Sequence, residues 1–210
     1  MLYKHVIWDF DGTLFDTYLP MAEAFRKELE IIGVIEPVEE IMSHMKITMG
    51  HAYEFYEGKY SIDDSFIEKF KARRGREQAE KVKPFDGAIA VCNAIHKNGG
   101  KNHLYTHRGS SALDFLGKYD LLPLFSEIIT DDSGFPRKPC AKALLHLIEK
   151  QNADPATTIM VGDREMDIQA ARNAGIASCF FTNNGGPRCD FASVNIHDLS
   201  ELFSHLGITR

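Results

Sequence analysis

The chain has 210 residues, of which 44% are hydrophobic and 26% charged, with a net charge of −6. That length accommodates one sizeable domain, or a domain with a small companion, around a real core. An acidic balance with no dominating block of like charge argues against a nucleic-acid-binding face. The four cysteines, Cys92, Cys140, Cys179 and Cys189, form no C-x-x-C pair. With no signal peptide and no long apolar segment, the expectation is a cytoplasmic protein with reduced thiols and no membrane contact.

Tyr3 to Trp8 is an apolar, β-prone run that suits one buried strand. It ends in Asp9-Phe10-Asp11-Gly12-Thr13-Leu14. Side chains alternate along a strand, so Asp9 and Asp11 share a side only while the chain stays extended. Gly12 lets the backbone turn and permits close approach of a ligand. In open α/β sheets ligands bind beyond the C-terminal ends of strands, so this acidic pair is a candidate site. An isolated D-x-D-G fits an acidic β-turn equally well.

Residues 17–80 read as helices. Tyr18 to Ile32 carries Leu19, Ala22, Phe25, Leu29 and Ile32 at helical spacing, with Gly33 as the stop. A second helix starts at Pro37-Val38-Glu39-Glu40, a third spans Met49 to Tyr60, and Ser61-Ile62-Asp63-Asp64 caps a fourth running to about Val82. Tyr53, Phe55, Tyr56 and Tyr60 read as core of this helical insert. Lys69, Lys71, Arg73, Arg74 and Arg76 read as a solvated face.

From Gly87 helices and strands alternate. Helices are expected over Ala88–Lys97, Ser110–Lys118, Ala141–Lys150, from Asp163 to about Ala174, and Leu199–Leu206. Strands are expected over Asn102–Thr106, Glu127–Thr130, Thr157–Val161 and Ile176–Phe181. This alternation implies an α/β fold, a Rossmann-like parallel sheet with helices on both faces. A small all-helical cap of four helices is inserted after the first strand. The expected division is a core of 1–16 and 84–210 and a cap of 17–83.

Asp9-x-Asp11-Gly12-Thr13-Leu14-x-Asp16 resembles the first motif of the haloacid dehalogenase superfamily, in its phosphatase form. Leu104-Tyr105-Thr106 resembles the second, Lys138 in Arg137-Lys138-Pro139 the third, and Gly162-Asp163-Arg164-Glu165-Met166-Asp167 the fourth. The four occur in the family's order, each at a strand end. His107-Arg108 departs from the commonest pattern, in which Asn follows the second motif. The branch resembled is that of phosphoglycolate phosphatases and β-phosphoglucomutase, with a helical cap.

The resemblance implies a Mg²⁺-dependent phosphatase acting on a small phosphorylated metabolite. Asp9 is then the nucleophile and Asp11 the acid and base, with Thr106 and Lys138 as the other catalytic residues. Gly12, Thr13, Thr106, His107 and Lys138 are the expected phosphate-binding residues. Asp9, Asp11 (through its backbone carbonyl), Asp163 and Asp167 are the expected metal ligands, Asp167 either directly or by supporting the others, an all-oxygen set that suits Mg²⁺ better than zinc. Asp163 and Asp167 share a side if a helix starts at Asp163, and taken alone Asp163 also reads as an N-cap. Arg108 reads as an exposed loop arginine, with contact to an anionic substrate as the alternative. A phosphomutase of the β-phosphoglucomutase type, or a non-catalytic phosphate-binding module, is the alternative. A monomer or a homodimer is expected.

Overall fold

The computed structural model describes residues 1–183 and 185–209. In chain order the elements are β1 (His5–Trp8), α1 (Tyr18–Ile31), α2 (Val38–Ile47), α3 (Met49–Tyr60), α4 (Asp64–Lys81) and α5 (Ala88–Lys97). There follow β2 (Lys101–Tyr105), α6 (Ser111–Lys118), β3 (Phe125–Ile129), α7 (Lys142–Lys150), β4 (Thr158–Gly162), α8 (Glu165–Ala174), β5 (Ala177–Phe181), β6 (Val194–Ile196) and α9 (Leu202–Leu206). Two compact units result. One is Met1–Leu14 together with the described residues from Pro84 onward, and the other is Phe15–Lys83.

The first unit is an α/β sheet domain. Its six strands are ordered β3-β2-β1-β4-β5-β6, and every pairing is parallel. Parallel strands covered on both faces read as continuous apolar runs. β4 is buried along its whole length, and Val6, Ile7 and Trp8 of β1 are fully buried. Beneath the sheet, Ile7, Tyr105 and Met160 pack with Leu144 and Leu147 of α7 and Ala170 and Ala171 of α8. One buried polar pair is satisfied inside this sheet. Trp8 Nε1 donates to Asn102 Oδ1 at 3.0 Å, and Asn102 Nδ2 donates to the Cys92 carbonyl at 3.0 Å. The chain leaves after Leu14 and returns beside it, because Phe85 N donates to the Leu14 carbonyl at 2.9 Å.

Strand β6 was absent from the expected elements. Three residues at a sheet edge are too short for an alternating or continuous apolar pattern to register. Strand β3 begins at Phe125, two residues before its expected start. Helix α8 begins at Glu165, two residues after its expected start, so Asp163 lies in the turn between β4 and the helix.

The second unit is four helices around their own core. Phe25 meets Tyr56, Phe66 and Phe70 with ring centroids 5.1 Å apart in each case. Ile41, Met45 and Leu29 complete the cluster, and Tyr53, Phe55 and Tyr60 pack against it. Thr48 caps α3 by accepting from His51 N, and Asp63 caps α4 by accepting from Phe66 N, each at 2.9 Å. The buried stripe of α1 runs through Tyr18, Met21, Ala22, Phe25 and Leu29. Leu19 is one residue, about 100°, off that stripe, and Ile32 lies past the helix end, so both are exposed. Arg73 is not merely a solvated charge, since its Nε donates at 2.6 Å to the buried Glu28. No described helix is long and apolar enough to cross a membrane.

Candidate active site

The site is assembled at the C-terminal ends of β1, β2 and β4, all within the sheet domain. Asp9 is the first residue past β1. Its N–H extends the ladder by donating to the Val161 carbonyl at 2.9 Å, and the residue is 1% exposed. Gly12 then turns the chain with φ of 80°, a left-handed conformation that strains any residue with a Cβ. That turn buries Thr13, whose hydroxyl donates to Asp163 Oδ1 at 3.2 Å. Motifs one and four, 150 residues apart in sequence, are thereby joined.

Thr106 follows β2, and its N–H donates to the Ile129 carbonyl at 3.0 Å. Its hydroxyl oxygen accepts from Arg108 N at 3.0 Å, so the hydroxyl proton is left to donate elsewhere. His107 Nε2 accepts from the Lys138 backbone N–H at 2.8 Å. Burial, then the charges of Lys138 and Arg137, lower the His107 pKa to about 3, so the ring is neutral and can accept. The ring therefore holds the Lys138 loop, and the expected role of His107 in contacting phosphate falls to another part of the residue at most.

Lys138 is the hub. Its side chain is 0% exposed, and Nζ lies 2.5 Å from Asp9 Oδ1 and 2.7 Å from Asp167 Oδ1. The ammonium also stands 4.8 Å from the centre of the Tyr105 ring. Burial works against its charge, but Asp167 and Asp9 outweigh it and hold the pKa above the usual lysine value. Asp167 is wholly buried, and its second oxygen accepts from Arg164 N at 3.0 Å. Glycine at 162 makes this possible: a Cβ there would lie 2.5 Å from Asp167 Cγ.

Asp9, Asp163 and Asp167 each bring one carboxylate oxygen to within 4.8 Å of the others. The convergence does not come from one helix face as expected. Asp163 is delivered by the end of β4 and Asp167 by the first turn of α8. Burial, then mutual repulsion with Asp9 and Asp167, raises the Asp163 pKa well above the carboxylate range. Burial likewise raises Asp9, against the pull of Lys138. Asp9 Oδ2 is buried without a hydrogen-bond partner among the described residues. An orphaned carboxylate oxygen among repelling carboxylates, with only oxygen donors, fits a hard divalent cation. Asp9 and Asp163 have the better claim to hold it directly, because both Asp167 oxygens are already hydrogen-bonded.

Asp11 does not join that cluster through its side chain, which is paired with Arg108. The guanidinium Nη2 lies 2.5 Å from Asp11 Oδ1. Arg108 is thus no exposed loop arginine, since its side chain is 9% exposed. Sequence reasoning also passed over Arg164, whose charge acts on Asp9, Asp163 and His107, and the ring of Tyr105. Nothing in a lone arginine after Asp163 signals such a place.

A family model described as haloacid dehalogenase-like hydrolase matches residues 6–181. The chain belongs to this family. It is therefore an enzyme of the haloacid dehalogenase-like hydrolases, and relatives bearing phosphatase names surround it. A phosphoglycolate phosphatase of Agrobacterium fabrum is 28% identical over 180 residues, 82% of this chain and 77% of that protein. One from Aliivibrio fischeri is 29% identical over 203 residues, 89% of this chain and 88% of that protein. Among solved structures, a hydrolase from Streptococcus pneumoniae is 29% identical, with a TM-score of 0.73 over 99% of this chain and all of that one.

Proposed function

We propose that the protein is a Mg²⁺-dependent phosphatase that hydrolyses a small phosphate monoester through an aspartyl-phosphate on Asp9. The observation that carries this reading is the buried Asp9, held through Oδ1 by Lys138 while Oδ2 stays open beside Asp163. Phosphoryl transfer depends on an in-line nucleophile and on neutralised phosphoryl oxygens rather than on elaborate covalent chemistry. Asp9 attacks phosphorus, the bond to the leaving oxygen breaks, and Asp11 gives that oxygen a proton. Asp11 then takes a proton from water, which attacks the aspartyl-phosphate, releases inorganic phosphate and restores the Asp9 carboxylate. Lys138 orients Asp9 and supplies fixed positive charge. The Thr106 hydroxyl donates to a phosphoryl oxygen. Mg²⁺ held by Asp9, Asp163 and the Asp11 carbonyl would offset the repulsion between an anionic nucleophile and an anionic phosphate.

The names of the relatives add that a short phosphorylated metabolite of the phosphoglycolate kind is a suitable substrate. In the same reading the helical unit is the cap that selects it. The test is phosphate release from a generic aryl phosphate with and without Mg²⁺, with Asp9→Asn in parallel. Metal-dependent release that is lost in the variant is the expected result. Equal release by Asp9→Asn refutes the nucleophile assignment.

A further inference from the structure

Arg108 is held more firmly than its place in a polar loop suggests. Its backbone N–H donates to Thr106 Oγ1, and its carbonyl accepts from Asp131 N at 3.0 Å. Its guanidinium carbon stands 5.1 Å from the centre of the Phe10 ring and 5.5 Å from that of Phe115. Aromatic faces suit a planar, weakly hydrated cation, so the fork is preorganised. What it grips is a carboxylate. Nε lies 3.1 and 3.3 Å from the two Asp11 oxygens, and Nη2 2.5 Å from Oδ1.

One guanidinium therefore engages both oxygens of Asp11. In the phosphatase reading that same carboxyl group has to meet a leaving oxygen. The pair has to open during turnover. Opening takes a carboxylate away from a guanidinium in a largely desolvated slot, and losing that partner is costly. A carboxylate arriving on the substrate replaces the Asp11 carboxylate like for like, with the same charge and the same two-oxygen fork. Asp11 is the more exposed partner, its side chain 22% accessible against 9% for Arg108, so the exchange can proceed from the solvent side. An uncharged leaving group offers Arg108 nothing in return.

We propose that Arg108 is a specificity residue that exchanges Asp11 for a carboxylate on the leaving part of the substrate. The enzyme then prefers phosphate monoesters of hydroxy acids. This assignment rests on the phosphatase reading above.

The test compares kcat/KM for phosphate release from the phosphate ester of a short hydroxy acid and from its uncharged carboxamide counterpart. A charge-assisted hydrogen-bonded pair predicts a preference of roughly ten- to a hundredfold for the carboxylate. That ratio falls to near one in Arg108→Gln and is partly kept in Arg108→Lys. It stays at the wild-type value in Arg137→Gln, an exposed neighbour that pairs with Asp131 at 3.6 Å. A ratio of two substrates on one sample does not depend on the fraction folded. A wild-type ratio near one, or an unchanged ratio in Arg108→Gln, overturns the proposal. Calorimetric binding of both esters to Asp9→Asn separates the two readings. No phosphate release by the wild type, with a binding preference that Arg108→Gln abolishes, refutes the phosphatase and leaves the anion assignment standing. Release without any Arg108-dependent preference does the reverse.

Discussion

Acidification should destabilise the sheet domain through one buried histidine on β2. His103 lies on β2, is wholly buried, and stacks on His5 with ring centroids 5.3 Å apart. Its Nε2 is 3.0 Å from His5 Nδ1, so the two rings share a single proton, and its own Nδ1 has no hydrogen-bond partner among the described residues. Burial first, then the charges of His5 and Lys101, lower its pKa from 6.5 to about 3. The folded value is the depressed one, so between these two values the unfolded chain binds the extra proton. The stabilisation is complete above the unfolded pKa and is lost as pH falls toward the folded one. At pH 5 the unfolded state gains about 2 kcal/mol from protonating this ring, against about 0.1 kcal/mol at pH 7.5. His107 and the buried carboxylates titrate as well, so the informative quantity is a difference. His103→Leu removes the titrating ring while keeping an apolar body in the sheet. Urea unfolding is followed at both pH values by the fluorescence of Trp8, the single tryptophan, which reports on this domain alone. The variant should lose about 2 kcal/mol less than the wild type between pH 7.5 and pH 5. Equal losses would refute the reasoning.

Two further outcomes follow from the acidic cluster. Gly162→Ala should destabilise the protein by about 1–3 kcal/mol and weaken Mg²⁺-dependent turnover, because the new Cβ would lie 2.5 Å from Asp167 Cγ and 2.6 Å from its Oδ2. Thermal unfolding and a Mg²⁺ activation curve read the two effects, and a variant as stable as the wild type would mean that Asp167 moves freely. Saturating Mg²⁺, at about a hundred times its dissociation constant, should stabilise the wild type by about 2.7 kcal/mol. Asp163→Asn should lose most of that gain while showing no loss of metal-free stability, since one member of a repelling carboxylate set is gone. An undiminished Mg²⁺ shift in Asp163→Asn would remove Asp163 from the ligand set.

Much of this protein is legible in order along the chain. Short β-branched runs such as Thr158–Gly162 suit strands buried on both faces, and helices between them favour a parallel sheet. Helix α3 runs from Met49 to Tyr60, the span expected from the sequence. The acids themselves, Asp9, Asp11, Asp163 and Asp167, and the lysine at 138 are visible because their motifs, in order, resemble those of the family. Their mutual arrangement was not legible. That Lys138 bridges Asp9 to Asp167, and that Thr13 ties itself to Asp163, depends on strand order, which no local pattern encodes. The environment of each charge was not legible either. Arg108 looks solvated in one dimension, and only the folding of Phe10 and Phe115 around it, with Asp11 brought opposite, makes it a buried fork. His107 likewise became an acceptor for the Lys138 loop because a segment 31 positions further along the chain returns to it. Local hydrophobic periodicity determined the elements, and the resemblance of four motifs to the family named the acids. Desolvation and charge pairing, which need neighbours from distant segments, decided what each acid and base can do.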